Sequence, residues 1–329
     1  MSRETKVIRD GSVKVSPGKP AFTKRKKTIP RIGVFGVGYV KYWAQFEGLY
    51  EQMLKKQEVF IEKLQKNEVE VIDFGLVDNV DAAYELVPKL KAANLDFVFC
   101  DMLTYATSGT FGIIVKSLDT PIVLVALQPE KALDYGNAST HQQLYNDDVC
   151  SLPEFTGVAI RMGKKPPDVI IGTLFNDPEA DQEIAEYCNI ARVLHDLKSA
   201  RIGHIGHPIE AMLDMHSDAS MLTSFFGLHI VQCEAHEIVS EYHRASAAAM
   251  EAEKKRILGF FDTPDPVSDP ISEKLRDSDL EMSARVSVAL EQFVKAKKLT
   301  GLAYYYEGEE NRITRNVMDN SIVGQIGRE

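Results

Sequence analysis

From Arg31 onward the chain alternates between short apolar runs and longer stretches in which apolar residues recur every three or four positions. The runs read as buried strands and the stretches as helices crossing between them, the pattern of an α/β fold with a parallel sheet. The predicted strands of a first domain are Arg31–Val37, Glu68–Phe74, Asp96–Met102, Pro121–Leu127 and Asp168–Leu174. Between the first two, Leu49, Met53, Phe60, Ile61 and Leu64 recur at helical spacing and predict a helix with one buried face. Asp177 and Pro178 mark the capped start of another, carried on to Ala200. A second alternating series then offers strands at Arg201–His207, His229–Ala235 and Thr300–Glu307, with a helical stripe of Met282, Val286, Ala289, Leu290 and Phe293 before the last. The Pro- and Asp-rich segment 262–270 breaks the pattern and reads as a loop. No repeat of fixed period is present. The predicted architecture is two consecutive doubly wound α/β domains with mainly parallel sheets. Residues 30–198 form a Rossmann- or flavodoxin-like domain and 199–329 a central α/β domain, behind a flexible basic tail over 1–29.

A chain of 329 residues is long enough for two such cores. Its longest apolar runs fall well short of the roughly 20 residues of a spanning helix, so no membrane partner is expected. The formal charge of -10 is uneven: the first 30 residues carry nine Lys or Arg against two acids, leaving -17 on the remainder (-10 minus +7). A body of that sign repels a phosphate backbone, which argues against nucleic acid as a partner. Cys100, Cys150, Cys188 and Cys233 are widely spaced, with no CxxC pair. Reduced thiols in a cytoplasmic protein follow, rather than a disulfide framework or a zinc knuckle. The N-terminus is basic but has no apolar segment of the kind a secretory signal requires.

Several stretches carry candidate chemistry. Gly36 and Gly38, where the first strand ends, invite a dinucleotide site, but Lys41 stands at the third glycine position and Asp73 lies about 35 residues on, where about 20 is usual. Glycines that allow a tight turn explain them as well. In a doubly wound sheet ligands bind beyond the carboxyl ends of the strands. There the chain places GYVKYWAQF, TYATSGT (Thr104 to Thr110) and QPEKALDYGN (Gln128 to Asn137), rich in hydroxyls, amides and aromatic faces that suit a sugar. Thr107 or Ser108 could equally cap the following helix. The segment from Gly203 to Asp218 holds three histidines and three acids, Glu210, Asp214 and Asp218, a composition that could bind a metal. His204 and His207, three apart across a strand end, are expected on different faces, and Asp214 and Asp218 on one helical face. Glu307 closes a strand behind three tyrosines, where a partly buried carboxylate can serve as metal ligand or general base. The alternative is a solvated acidic turn with Glu309 and Glu310.

Taken in order from about Pro30 to Gly324, GVGYVKYWAQFEGL, TYATSGT, SLPEFTGVAIRMG, GHPIEAMLDMHSD, FGLHI and GLAYYYEGEENRITRN resemble the L-fucose and L-arabinose isomerase superfamily, and its L-arabinose isomerase-like branch most closely. The resemblance implies an aldose–ketose isomerase of carbohydrate metabolism. In such enzymes a proton moves between C1 and C2 of the open-chain sugar with help from two glutamates and a divalent metal, usually Mn2+. It implies Glu307 as catalytic residue and metal ligand, Gln45 and Gln128 as sugar-binding residues, and a homo-oligomer, trimer or hexamer. The family's second glutamate and two histidines come from a C-terminal β domain that would follow this sequence. The expectation is therefore a chain that lacks three of four metal ligands and is weakly active or inactive alone. A sugar-binding or regulatory module without catalysis is the alternative.

Overall fold

The computed structural model describes residues 28–261, 276–305 and 313–318. Glu307 and the loop expected at 262–270 lie outside them. The chain divides into two compact units, Lys27–Ser199 and the residues from Ala200 on. Both are α/β with parallel strands, the fold class expected from the sequence.

In the first unit the strands are β1 (Arg31–Val37), β2 (Glu70–Val77), β3 (Phe97–Met102), β4 (Ile122–Gln128) and β5 (Asp168–Thr173). They pair in parallel in the order β2-β1-β3-β4-β5, the doubly wound arrangement. The helices are α1 (Leu49–Gln65), α2 (Val80–Ala92), α3 (Ser108–Ser117), α4 (Thr140–Tyr145), α5 (Leu152–Arg161) and α6 (Pro178–Leu197). Strand side chains alternate between the two faces. Phe35, Val98, Cys100 and Leu124 pack with Leu86 of α2, Phe111 of α3 and Phe155 of α5. Val34, Phe97, Phe99 and Val125 pack on the opposite face with Phe60 of α1 and Ile184 of α6. Both faces are covered, which is why β3 is buried along its whole length. The cap on α6 is as expected: Asp177 accepts from the Ala180 amide at 3.1 Å.

Two details differ from expectation. Strand β2 begins later and runs three residues further than the predicted Glu68–Phe74. Glu68 sits at φ 56°, outside the extended region, and Gly75 at φ 75° carries the strand through an irregularity, where the β1–β2 register shifts between Val34 and Gly36. Thr107 precedes α3 but makes no side-chain cap; the Ser108 amide is instead taken by Glu154 Oε1 at 2.9 Å.

In the second unit β6 (Arg201–Ile205), β7 (His229–Cys233) and β8 (Gly301–Tyr304) form a three-stranded parallel sheet in the order β7-β6-β8. Its helices include α7 (Ala219–Phe226), α8 (Ala235–Arg244), α9 (Ala247–Phe260) and α10 (Asp277–Lys297). The stripe on α10 works as predicted, with Val286, Ala289, Leu290 and Phe293 buried against Ile205, Cys233 and Ile238. Among the described residues no helix is long and apolar enough to cross a membrane.

Candidate functional site

In the first unit the connections leave β1 and β3 in opposite directions, so the crevice between their carboxyl ends is the topological switch point where doubly wound sheets bind ligands. Tyr39 and Tyr42 follow β1 and Tyr105 follows β3. The Tyr39 ring meets the other two edge to face, 5.2 Å from Tyr42 and 6.1 Å from Tyr105, while Tyr42 and Tyr105 are tilted to one another at 6.3 Å. Burial, then the charge Tyr105 would carry, raises the Tyr42 phenol, and burial, then the Glu154 carboxylate, raises the Tyr105 phenol, so both are neutral hydroxyls at pH 7.

A buried polar layer seats this rim. Lys56 of α1 donates to Leu103 O at 2.7 Å, to Tyr145 O at 2.9 Å and to Asp148 Oδ1 at 2.7 Å. Thr104 Oγ1 donates to Leu144 O at 2.7 Å. Ser151 Oγ both donates to Ala106 O and accepts from Ala106 N, each at 2.9 Å. The loop carrying Tyr105 is thus tied to segment 144–151 at several points. None of Lys56, Asp101 or Asp148 was singled out by motif or composition. For Lys56 and Asp101 the signal was there as polar residues at positions that the helix and strand patterns assign to the core, whereas Asp148 lies on a turn outside both patterns.

Gln128 and Gln45 both lie on the carboxyl side of this sheet. Gln128 ends β4 half-buried and donates its side-chain amide to Asn146 O at 2.6 Å, so it holds the 145–148 turn. Gln45 is exposed on the β1–α1 connection, and among the described residues no hydrogen bond joins it to Gln128. The glycine pair gains no helix N-terminus: residues 40–42 form a 3-10 turn and α1 begins only at Leu49. Gly38 serves packing, since a Cβ there would stand 2.9 Å from the Trp43 ring, which is held by a 2.6 Å bond from Nε1 to Asp78. All four cysteines are free thiols; burial drives Cys188 up to about 12, against a smaller opposing pull from Arg192.

In the second unit a cavity of about 350 Å³ lies against the sheet face opposite the α8 and α10 packing. Its floor is apolar at Ile202 and Ile230, which are in register on β6 and β7. One step toward the carboxyl ends the next register pair is polar, His204 beside Gln232, about 4.8 Å apart as neighbouring strands are. His207 and Tyr305 stand at the rim with ring centroids 4.5 Å apart, and Met215, Ser217 and Leu222 close the far side.

His204 and His207 therefore line one cavity instead of opposite faces. Strand β6 stops at Ile205, and Gly206 at φ 81° turns the chain so that the two-residue alternation no longer applies. His207 Nδ1 is 2.9 Å from Pro208 O and His216 Nε2 3.2 Å from Ile209 O. A carbonyl only accepts, so each of these nitrogens carries a proton, and in the neutral ring His207 Nε2 is left as an acceptor. Asp214 and Asp218 do not share a helical face. Asp214 lies in a separate 3-10 turn, while Asp218 caps α7, accepting from Met221 N at 2.7 Å. Among the described residues no group of three or more His, Cys, Asp or Glu is placed to hold a metal ion.

No family model matches the chain, and no curated protein matches it. Among solved structures it is similar to a conserved domain protein from Vibrio cholerae O1 biovar El Tor. That likeness covers 90% of this chain and 83% of the other at 10% identity, with a TM-score of 0.26, a superposition too loose to establish a shared fold.

Proposed function

We propose that the chain handles a small sugar, binding it in the cavity of the second unit, and that it is a protein of the L-arabinose and L-fucose isomerase type. The observation that carries this reading is the layered lining: Ile202 and Ile230 below, then the His204–Gln232 pair in register, then the His207 and Tyr305 rings. A sugar presents C–H faces and hydroxyls at once, and hydroxyls need both donors and acceptors. The Gln232 amide offers both, a neutral His204 offers one of each, and His207, its Nδ1–H held by Pro208 O, adds an acceptor at Nε2 when neutral. At about 350 Å³ the cavity falls near the lower end of the usual range for small-molecule sites, which suits a single monosaccharide.

Isomerisation adds a proton transfer between neighbouring carbons, and for that step the chain's nominee is Glu307, two residues beyond Tyr305 in sequence. A divalent ion such as Mn2+ would polarise the sugar oxygens when bound. A second reading is binding without turnover, favoured because the cavity lining includes no carboxylate among the described residues. Calorimetry with L-arabinose and L-fucose, with and without Mn2+, tests both, together with a ketose assay. Turnover that needs Mn2+ and disappears in Glu307→Gln supports the isomerase. Metal-independent binding that survives Glu307→Gln, with no turnover, supports the binding protein. Absence of saturable binding for aldoses and ketoses alike removes both.

A further inference from the structure

The buried charges behind the first unit's rim are unequal in number. Lys56, Asp101 and Asp148 are 4%, 3% and 1% exposed, and one ammonium faces two carboxyls. Asp148 Oδ1 takes the lysine at 2.7 Å, whereas Asp148 Oδ2 and Asp101 Oδ2 are buried with no hydrogen-bond partner. A second carboxylate left ionised in such a place has no counter-charge, and burial of an unpaired ion costs several kcal/mol. One additional proton makes the set neutral.

We propose that Lys56, Asp101 and Asp148 share one such proton and act as a pH-sensitive latch, pinning the 145–148 turn to the carboxyl end of β3 until the proton is lost. The geometry gives the latch its reach. The same ammonium bonds Leu103 O at the end of β3, Tyr145 O on the turn and Asp148 Oδ1, so Lys56 joins α1, β3 and the turn in one contact set, and Asp101 is buried on β3 two residues before Leu103. Tyr105, at the switch point, is two residues from Leu103. The proton resides on Asp101, because the direct lysine contact keeps Asp148 ionised.

The surroundings agree in direction. Burial pushes Asp101 up to about 7 against the pull of Lys56, and pushes Asp148 up to about 8 against the same lysine. The higher figure falls on the group with the lysine contact. The charge on Asp101 raises Asp148 in turn, so the two carboxyls titrate as a pair, and we assign the proton by the contact. The other groups facing the set are Cys100 beside Asp101 on β3, Asp147 and Tyr145 on the turn, and Glu130 beyond β4, which acts on Tyr145. Asp147 is itself raised, chiefly by burial.

Opening the latch lets water reach Asp101, which then gives up its proton as an ordinary carboxylic acid. The opening equilibrium therefore rises about tenfold per pH unit between the usual carboxylate range and about 7, and is level above it. Two measurements on the full chain test this. Carbon-13 titration of the aspartate carboxyls, assigned with Asp101→Asn and Asp148→Asn, is expected to show Asp101 protonated at pH 6 and ionising near neutrality. Amide exchange is expected to show the protection factors of Ala106 and Asn146 falling tenfold per unit from pH 5 to 7, a dependence that Asp101→Asn abolishes. If both carboxyls of the parent chain titrate in the ordinary range, no proton is shared. If protection factors are flat with pH, the proton is no latch. The parent chain alone decides both points should a variant fail to fold.

Discussion

Replacing Lys56 by Met is the sharpest perturbation of the buried layer, because Met keeps much of the side chain's length and removes only the ammonium. Three acceptors lose their donor at once: Leu103 O, Tyr145 O and Asp148 Oδ1. The carboxylate dominates the cost. Left ionised at 1% exposure it is prohibitive, so Asp148 protonates instead. Protonating at pH 7 a carboxyl whose ordinary value is 3.8 costs about 4 kcal/mol at ~1.4 kcal/mol per unit. That agrees with the roughly 3–5 kcal/mol typical of breaking a buried pair from one side. At pH 5 the same term falls to about 2 kcal/mol. The single tryptophan, Trp43, belongs to this unit, so its fluorescence in urea reports the unit's unfolding directly. Lys56→Met is expected to lose about 4 kcal/mol at pH 7 and about half of that at pH 5. Lys56→Met with Asp148→Asn is expected to regain at least 2 kcal/mol at pH 7, since neither partner is then left charged. A loss under about 1 kcal/mol at pH 7, or equal losses at the two pH values, contradicts the premise that Lys56 compensates a buried charge.

Gly36→Ala places a Cβ into Leu103 and Gln57, and is expected to lower the same fluorescence midpoint by about 1–3 kcal/mol, with Gly48→Ala as a sterically open control strained only by its φ of 79°. Burial pushes Asp96 up, but bonds from Lys198 Nζ, the Arg31 amide and His195 Nδ1 outweigh it and hold the carboxyl below its usual range. Its contribution is present above the unfolded value and lost as pH falls through the folded one. Asp96→Asn should therefore cost about 3 kcal/mol at pH 7 and flatten the acid limb of the stability curve measured by urea titration. In the second unit, Gln232→Leu is expected to weaken sugar binding about tenfold by calorimetry, roughly 1.4 kcal/mol, by leaving a hydroxyl unpaired. Unchanged affinity would place the sugar elsewhere.

The layered architecture was legible because burial on both sides of a parallel sheet imposes continuous apolar runs, and a covering helix imposes a stripe. β3 and β4 are nearly pure examples, and so is α10 with Val286, Ala289, Leu290 and Phe293. Boundaries were less legible where a glycine changed the local geometry without ending the element's contacts. The predicted strand stopped at Phe74, whereas Gly75 carries β2 on through the irregularity opposite β1. Gly206 worked in the other direction. It stops the alternation one residue before His207 and so brings two histidines into a cavity that a strand running on to His207 would have separated.

The buried layer shows why motif matching passed over the most constrained chemistry in the first unit. On α1 the stripe of Leu49, Met53, Phe60 and Leu64 leaves one turn of the buried face to Lys56 and Gln57. On β3 the face of Phe97 and Phe99 continues to Asp101. Each is a polar residue at a position that the element's own period assigns to the core, and a core position tolerates a charge only when another element supplies its partner. The two interruptions were therefore mutually informative. A lysine facing inward from α1 and an aspartate facing inward from β3, on the same side of one sheet, require a shared environment. Asp148 supplied the third group from a turn with no periodicity to betray it. What no pattern along the chain could supply was the count of charges against partners, because that count depends on which turn folds back over the end of β3.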